Sequence, residues 1–484
     1  MSLVKIPLLV GTSGGTPVSS SPQRMYNYYP NRGPASKEGV VWKNTPGWTT
    51  YYSTGGTGIR GIKEFNGSLY FVQDRYLKKY DSIAGVESTL GTLSTTNGRV
   101  TMAEDGISLL ISDNVKIYRI NTSETFSTVT LPAALSPTGK IIQHEGHFIT
   151  NELNTGIFWI SDKFDGSTWN ALQFATAEDK SDNITSIISD RVLWIAGTYT
   201  MQAYFNSGQK FPFLPNPQGR LIYGMEGVDT LAQLDNTTYW LARSEYGNLQ
   251  VVRANGFVPQ TVSTPEIDEE LASLSKTSDA FAKSVMWEGH EWYVLTFPTA
   301  RRTFVFDTKG TWFEWGNYDA GLGRFVEHPM LDYVYFNGLH LFTDADGNIN
   351  QLKGDVYKHG TKVMSSVSIS NMQHVDEQRV FLHSLIVDMR TGVGPLNTSS
   401  TMEVAVSYDG GYTYDNWQAR GLGRDGSYRT RMEWHRLGSG FNLALKTRIT
   451  DEVPREIIKG VVRVSVYESY LERRNQRAGL DNEQ

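Results

Sequence analysis

Two histidines stand three residues apart in His144-Glu145-Gly146-His147. Imidazole is a common zinc ligand. The H-E-x-x-H plan, however, needs both histidines on one helical turn, four residues apart. Here a turn sits between them, so surface turn histidines are expected. Gly56-Thr-Gly58-Ile-Arg-Gly61 matches G-x-G-x-x-G, with Asp81 twenty residues beyond. Dinucleotide binding would need a helix after the glycines to hold the pyrophosphate on its N-terminus. A strand pattern follows instead. Gly421-Leu-Gly423-Arg-Asp-Gly426 matches the same pattern inside a loop. Asp344-Ala-Asp346-Gly347-Asn348 carries calcium-like carboxylates, but no twelve-residue loop ends in Glu. A tight turn is expected there.

Catalytic signatures are sparse. No G-x-S-x-G nucleophile elbow is present. Asp162 and Asp165 form a carboxylate pair, but glycosidase chemistry depends on a spatial separation that spacing does not give. Ser407-Tyr-Asp409-Gly-Gly411-Tyr-Thr413-Tyr414 resembles the Asp box of sialidases, a hairpin-turn element rather than their catalytic centre. The chain has no cysteine, which excludes disulfides, cysteine-ligated zinc, iron–sulfur clusters and thiol catalysis. No catalytic residue, cofactor or metal is assigned. One charge feature remains. Arg420, Arg424, Arg429, Arg431, Arg436, Lys446 and Arg448 lie against only Asp425 and Glu433. Such a patch suits phosphates or an acidic partner, and equally a solvated sheet face. These seven are the candidate interface residues.

The elements that carry these residues are strands. The 484 residues include 46 Gly, 25 Tyr, 21 Phe and 12 Trp, and alternating apolar runs recur too closely for helices between them. The one good helical signal has Thr264 as N-cap, Pro265 at the first position, an acidic first turn, and Ile267, Leu271, Leu274 and Phe281 as an apolar stripe. It predicts a helix near 265–283. Central hairpin turns fall near 67, 106, 146, 190, 236, 289 and 338, a repeat of blade size. Asn66-Gly67, Asp105-Gly106 and Asn337-Gly338 supply the positive φ that tight hairpins need. Seven such units predict an all-β fold, a seven-bladed β-propeller over 61–358. Residues 1–60 read as an irregular arm or as the closing strand of a blade. Beyond about 359 the strands lengthen and lose the period: 362–369, 380–389, 401–408, 429–434, 441–449 and 460–466. A jelly-roll-like β-sandwich over 359–470 is expected, then a polar tail over 471–484.

The net charge of −6 argues against a polybasic nucleic-acid binder. The first ten residues are broken by Pro7, and Gly11 comes too early for a secretory core. No window approaches the ~20 apolar residues of a membrane span. A soluble, non-exported chain without membrane insertion is expected.

The C-terminal region carries a resemblance. It runs Val404-Ala-Val-Ser-Tyr-Asp409-Gly-Gly411-Tyr-Thr-Tyr414, Gly421-Leu-Gly-Arg424, Tyr428-Arg-Thr-Arg431-Met-Glu-Trp434-His-Arg436-Leu-Gly438 and Leu445-Lys-Thr-Arg448-Ile-Thr-Asp451. With Tyr26-Asn-Tyr-Tyr-Pro30 and Asn44-Thr-Pro46-Gly47, it is similar to the tail hub proteins of short-tailed bacteriophages, also called packaged-DNA stabilisation proteins, tail accessory factors or nozzles. The resemblance implies a non-enzymatic virion tail protein assembled in the host cytoplasm. It implies a homo-hexamer below the portal–adaptor ring that extends the DNA channel and helps retain packaged DNA. Tail fibres or tailspikes, and a tail needle, are the further partners implied. DNA would pass without specific binding. The alternative reading is a propeller-type glycan-binding protein or glycoside hydrolase of a phage tail.

Overall fold

A computed structural model describes residues 2–6, 23–32, 39–133, 135, 137–177, 182–244, 247–371, 379–394 and 400–466. The polar tail over 471–484 lies outside the described residues. Among these residues every element but one is a strand. The chain divides into two compact units. One comprises Trp48–Gly310 and Val326–Lys353. The other comprises Met1–Gly47, Thr311–Phe325 and Gly354–Gln484.

The first unit is built from seven antiparallel sheets in chain order. Their first strands include Ile59–Phe65, Thr101–Glu104, Thr138–His144, Ile184–Ser189, Ala232–Leu234, Phe281–Trp287 and Asp332–Phe336. The turns at Asn66-Gly67, Glu145-Gly146, Glu288-Gly289 and Asn337-Gly338 place both residues at positive φ, which matches the twist of the flanking strands. Neighbouring sheets pack through apolar side chains. Phe65, Tyr70 and Val72 of the first meet Leu109, Ile111 and Tyr118 of the second. The seventh sheet returns to the first, with Phe336, Leu341 and Ile349 against Ile62, Leu69 and Phe71. The sheets therefore close into a ring, which leaves few exposed edges.

The seventh sheet takes its outer strand from the other end of the sequence. Gly47–Ser53 lies beside Asn348–Lys353. Thr50 Oγ1 donates to Asn350 Oδ1 at 3.2 Å, and Thr54 N donates to Gly347 O at 3.1 Å. Trp48 is buried against His328 and Phe342. Ring closure thus joins two segments about 300 residues apart, with the loop-closure entropy that implies.

The helix is shorter than its sequence signal. It covers Pro265–Ala272, with Thr264 accepting from Ile267 N at 3.4 Å and Ser273 as C-cap. Ile267 and Leu271 are its buried residues. Phe281, read as part of the apolar stripe, instead opens the sixth sheet at 2% exposure. An eight-residue helix satisfies its apolar face in two turns, and the alternating run from Phe281 onward has the period of a strand. The two histidines also depart from expectation. His144 and His147 end and begin adjacent strands, face each other in register, and are buried. His144 Nδ1 meets Ser189 Oγ and His147 Nδ1 meets Ser161 O, both at 2.8 Å.

The second unit stacks two sheets. One contains Ser2–Ile6, Tyr28–Arg32, Val40–Asn44, Val380–Met389, Met432–His435 and Ile457–Val466. The other contains Arg24–Tyr26, Thr311–Glu314, Ser366–Asn371, Thr401–Ser407, Gln418–Gly421 and Ala444–Ile449. Alternation sends Met402, Val404, Leu445, Leu385, Trp434 and Val462 into the core. Within the segment 1–60, read as an arm or a closing strand, Gly47–Ser53 joins the seventh sheet and the earlier described strands join this unit. These earlier strands are built into its sheets, with Ser2 opposite Val464 and Tyr26 opposite Val367.

Candidate functional site

A charged cluster brings together residues from non-adjacent sheets of the ring. Arg99 precedes the first strand of the second sheet, and Lys140 lies in that of the third. Asp229 precedes Ala232–Leu234 of the fifth. Phe281 and Lys283 belong to the sixth, and Asp332 to the seventh. The Arg99 guanidinium sits 3.5 Å from the Phe281 ring centroid, and its Nη1 donates to Leu331 O at 2.8 Å. Arg99 Nε lies 3.7 Å and Lys140 Nζ 2.8 Å from the Asp229 carboxylate. Lys283 Nζ lies 2.6 Å from Asp332 Oδ1, while Asp332 Oδ2 accepts from Ile62 N of the first sheet at 3.1 Å.

Three cations and two carboxylates therefore link six of the seven sheets. Burial draws Arg99 below the usual guanidinium range, against the opposing pull of Asp229 and Asp332. Burial alone would raise the Asp229 carboxyl. Lys140 and Arg99 outweigh it and hold that group below the ordinary carboxylate range. The five side chains keep between 17% and 29% of their exposure, so the cluster is partly reached by solvent.

The seven basic candidates are engaged to different degrees. Arg448 and Lys446 alternate on one strand and are already engaged. Arg448 stacks 4.2 Å over Trp417 and bonds Glu403 at 2.6 Å, and Lys446 lies 5.2 Å from the Tyr414 ring. Burial, then Arg448, lowers the Lys446 pKa. Arg420 Nε donates to Glu433 O at 3.0 Å, bridging the two sheets. Arg431 pairs with Glu433 at 3.3 Å. Arg424, Arg429 and Arg436 are exposed on loops. Arg420 and Arg431 are exposed as well, but Arg420 bonds the Glu433 carbonyl and Arg431 its carboxylate.

The most buried arginine in this region lies beyond the sequence-derived set. Arg455 is fully buried, and its Nη2 donates to Met364 O and Asp451 O, both at 2.7 Å. Burial lowers its pKa to about 10. Only the local context Pro454-Arg455-Glu456 marks it in sequence, which is no signal of burial.

The remaining motifs are turns. Asp409 accepts from Ser407 Oγ, Tyr412 N and Thr413 N and Oγ1 at 2.6–2.9 Å, and these bonds hold its carboxyl far below the ordinary range. Asp344 accepts from Asp346 N and Asn348 N at 3.0 and 2.9 Å, a tight connection between strands. Gly56–Gly61 leads into the strand Ile59–Phe65. Asp165 is bound by Ser167 and Thr168 in its own loop. Among the described residues no group of three or more histidines and carboxylates is placed to hold a metal. No described helix is long and apolar enough to cross a membrane.

Two clefts open between neighbouring sheets of the ring. One, about 650 Å³, lies between the sixth and seventh sheets and is faced by Met286, Trp287, Glu291, Tyr335 and His340. The other, about 480 Å³, lies between the fourth and fifth.

Residues 4–357 match the family described as bacteriophage P22 Gp10, beta-propeller, and residues 367–465 match bacteriophage P22 Gp10, beta-sandwich. Comparison with curated proteins gives no match. Solved structures match at low identity. A chain of the mitotic checkpoint complex matches at 12% identity over 67% of this chain and 95% of that chain, with a TM-score of 0.43. The N-terminal domain of Nup159 matches at 10% over 68% and 98%, TM-score 0.41. The extracellular domain of a one-component system of B. thetaiotaomicron matches at 11% over 85% and 57%, TM-score 0.45. These likenesses are too distant to bear on function. The two family matches together span both folded units, and the chain belongs to the bacteriophage P22 Gp10 family of phage tail hub and DNA-stabilisation proteins.

Proposed function

We propose that this chain is a ring-forming tail hub, or nozzle, six copies of which surround the DNA path below the portal–adaptor ring and help retain packaged DNA. The observation that carries this reading is the pair of family matches, which together span both folded units. The Arg99–Asp229–Lys140 and Lys283–Asp332 contacts tie non-adjacent sheets of the β ring to one another. On this reading the DNA path runs between copies, and the cross-ring contacts keep each copy rigid. Rings of this kind use head-to-tail interfaces whose rotation closes. The net charge of −6 suits a wall that does not grip phosphates, since tight phosphate contacts would slow ejection.

The exposed Arg424, Arg429 and Arg436 are the proposed contacts to an acidic partner in the tail, a tail fibre, tailspike or needle among them. Assembly takes place in the host cytoplasm on this reading. Electrophoretic mobility shifts with duplex DNA across a salt series test the wall. Weak binding with a shallow salt slope is expected, and tight binding that falls steeply with salt would overturn it. The triple variant Arg424→Ala, Arg429→Ala, Arg436→Ala tests the partner face. Normal folding with fewer completed tails is expected, and full tail yield would remove these residues from the interface.

A further inference from the structure

The cleft between the fourth and fifth sheets has a composition that the tail-hub reading leaves unused. Its walls are two hairpin turns, Asp190-Arg191 and Asp235-Asn236, together with Arg253 and Phe257. Trp194, 2% exposed, lies beneath, with its ring 6.1 Å from that of Phe257. The volume of about 480 Å³ is in the range of sites for small ligands.

The polar groups are held before any ligand arrives. Asp190 accepts from Gln233 Nε2 at 2.9 Å and from Thr238 Oγ1 at 3.3 Å. Arg253 Nε donates to Gln260 Oε1 at 2.9 Å. Asp235 donates its backbone N–H to Glu291, so that turn is tied to the sixth sheet. Side chains positioned by their own neighbours lose little freedom on binding.

The charges decide the ligand class. Two carboxylates, Asp190 and Asp235, face two guanidiniums, Arg191 and Arg253. A phosphate or sulfate would meet the carboxylates, and a polyamine would meet the guanidiniums. An apolar molecule would strip water from all four charged groups without replacing it, which is unfavourable. A neutral ring bearing several hydroxyls fits both signs. Its hydroxyls donate to the carboxylates and accept from the guanidiniums and the Asn236 amide, while a C–H face rests on Phe257.

We propose that this cleft binds a short neutral saccharide. The inference goes beyond the tail-hub reading and does not depend on it. The test is a printed array of bacterial surface oligosaccharides, neutral and anionic, probed with the full-length protein. Neutral glycans are expected to bind, with affinity falling about tenfold or more in Asp190→Asn and in Phe257→Ala, the size of one lost charged hydrogen bond or one lost apolar contact. Asp190→Asn is expected to melt close to the parent protein, since the exchange keeps the shape of the side chain it replaces. Phe257 also packs against the core around Trp194, so Phe257→Ala is expected to melt lower and is probed well below its melting temperature. Absence of any neutral glycan signal, preference for sulfated or phosphorylated glycans, or unchanged binding by both variants would overturn the proposal.

Discussion

The Arg99 guanidinium lies 3.5 Å from the ring centroid of Phe281, although Arg99 leads into the second sheet of the ring and Phe281 opens the sixth. Asp229 pairs with the same arginine and with Lys140, and its backbone carbonyl accepts from Ala282 N at 2.9 Å. Removing the carboxylate charge leaves two cations facing each other. Asp229→Asn is expected to destabilise the ring unit by about 2–3 kcal/mol, less than a fully buried pair because these side chains keep roughly a quarter of their exposure. Calorimetry should show a melting temperature lower by roughly 5–10 °C. An unchanged melting temperature would mean that the cross-ring contacts do not hold the ring.

Closure by Gly47–Ser53 makes a second prediction. Trp48 fills the space beside His328 and Phe342, so Trp48→Ala leaves a large cavity where the two chain ends of the ring join. A loss of about 3–5 kcal/mol is expected, read by chemical denaturation. Amide exchange should rise first in Asn348–Lys353, the strand alongside.

His328 gives a pH dependence. Its ring is buried, and burial lowers its pKa to about 3. The unfolded chain would take up a proton near pH 6.5. Protons therefore favour the unfolded state between these values. The stability from keeping His328 neutral is fully present above about pH 6.5 and is lost as the pH falls toward 3, with a slope of up to about 1.4 kcal/mol per pH unit. Denaturation curves at several pH values should show this slope, and His328→Gln should flatten it.

Much of the architecture is legible in local sequence. The hairpin turns are marked by pairs such as Asn66-Gly67 and Asn337-Gly338, because positive φ at both positions strongly restricts residue choice. The alternation in Val380–Met389 and Thr401–Ser407 likewise marks half-buried strands. What is not legible depends on distant partners. Nothing near Arg99 announces Asp229 or Phe281, which lie far along the chain. Gly47–Ser53 reads as one more aromatic segment until its partner strand is known. His144 and His147 sit beside a turn yet are covered by neighbouring sheets, so turn proximity misplaced them on the surface. In the basic run, Lys446 and Arg448 are taken up by Trp417 and Glu403, a pairing that sequence spacing does not show.

The Asp409 turn makes a local prediction. Its carboxylate gathers the amides of Tyr412 and Thr413 in an exposed loop. Asp409→Ala should speed hydrogen exchange at those amides while the strand Thr401–Ser407 keeps its protection. Equal exchange in both proteins would show that the carboxylate does not order the loop.

The central claim is that this chain works by assembling around an axis in a virion tail. Electron microscopy of intact particles, with subunit masses counted by native mass spectrometry, tests it most directly. A closed ring of this chain, six copies around the DNA path, is the expected result. Virions lacking the protein, or a propeller whose open centre carries the DNA, would contradict the account.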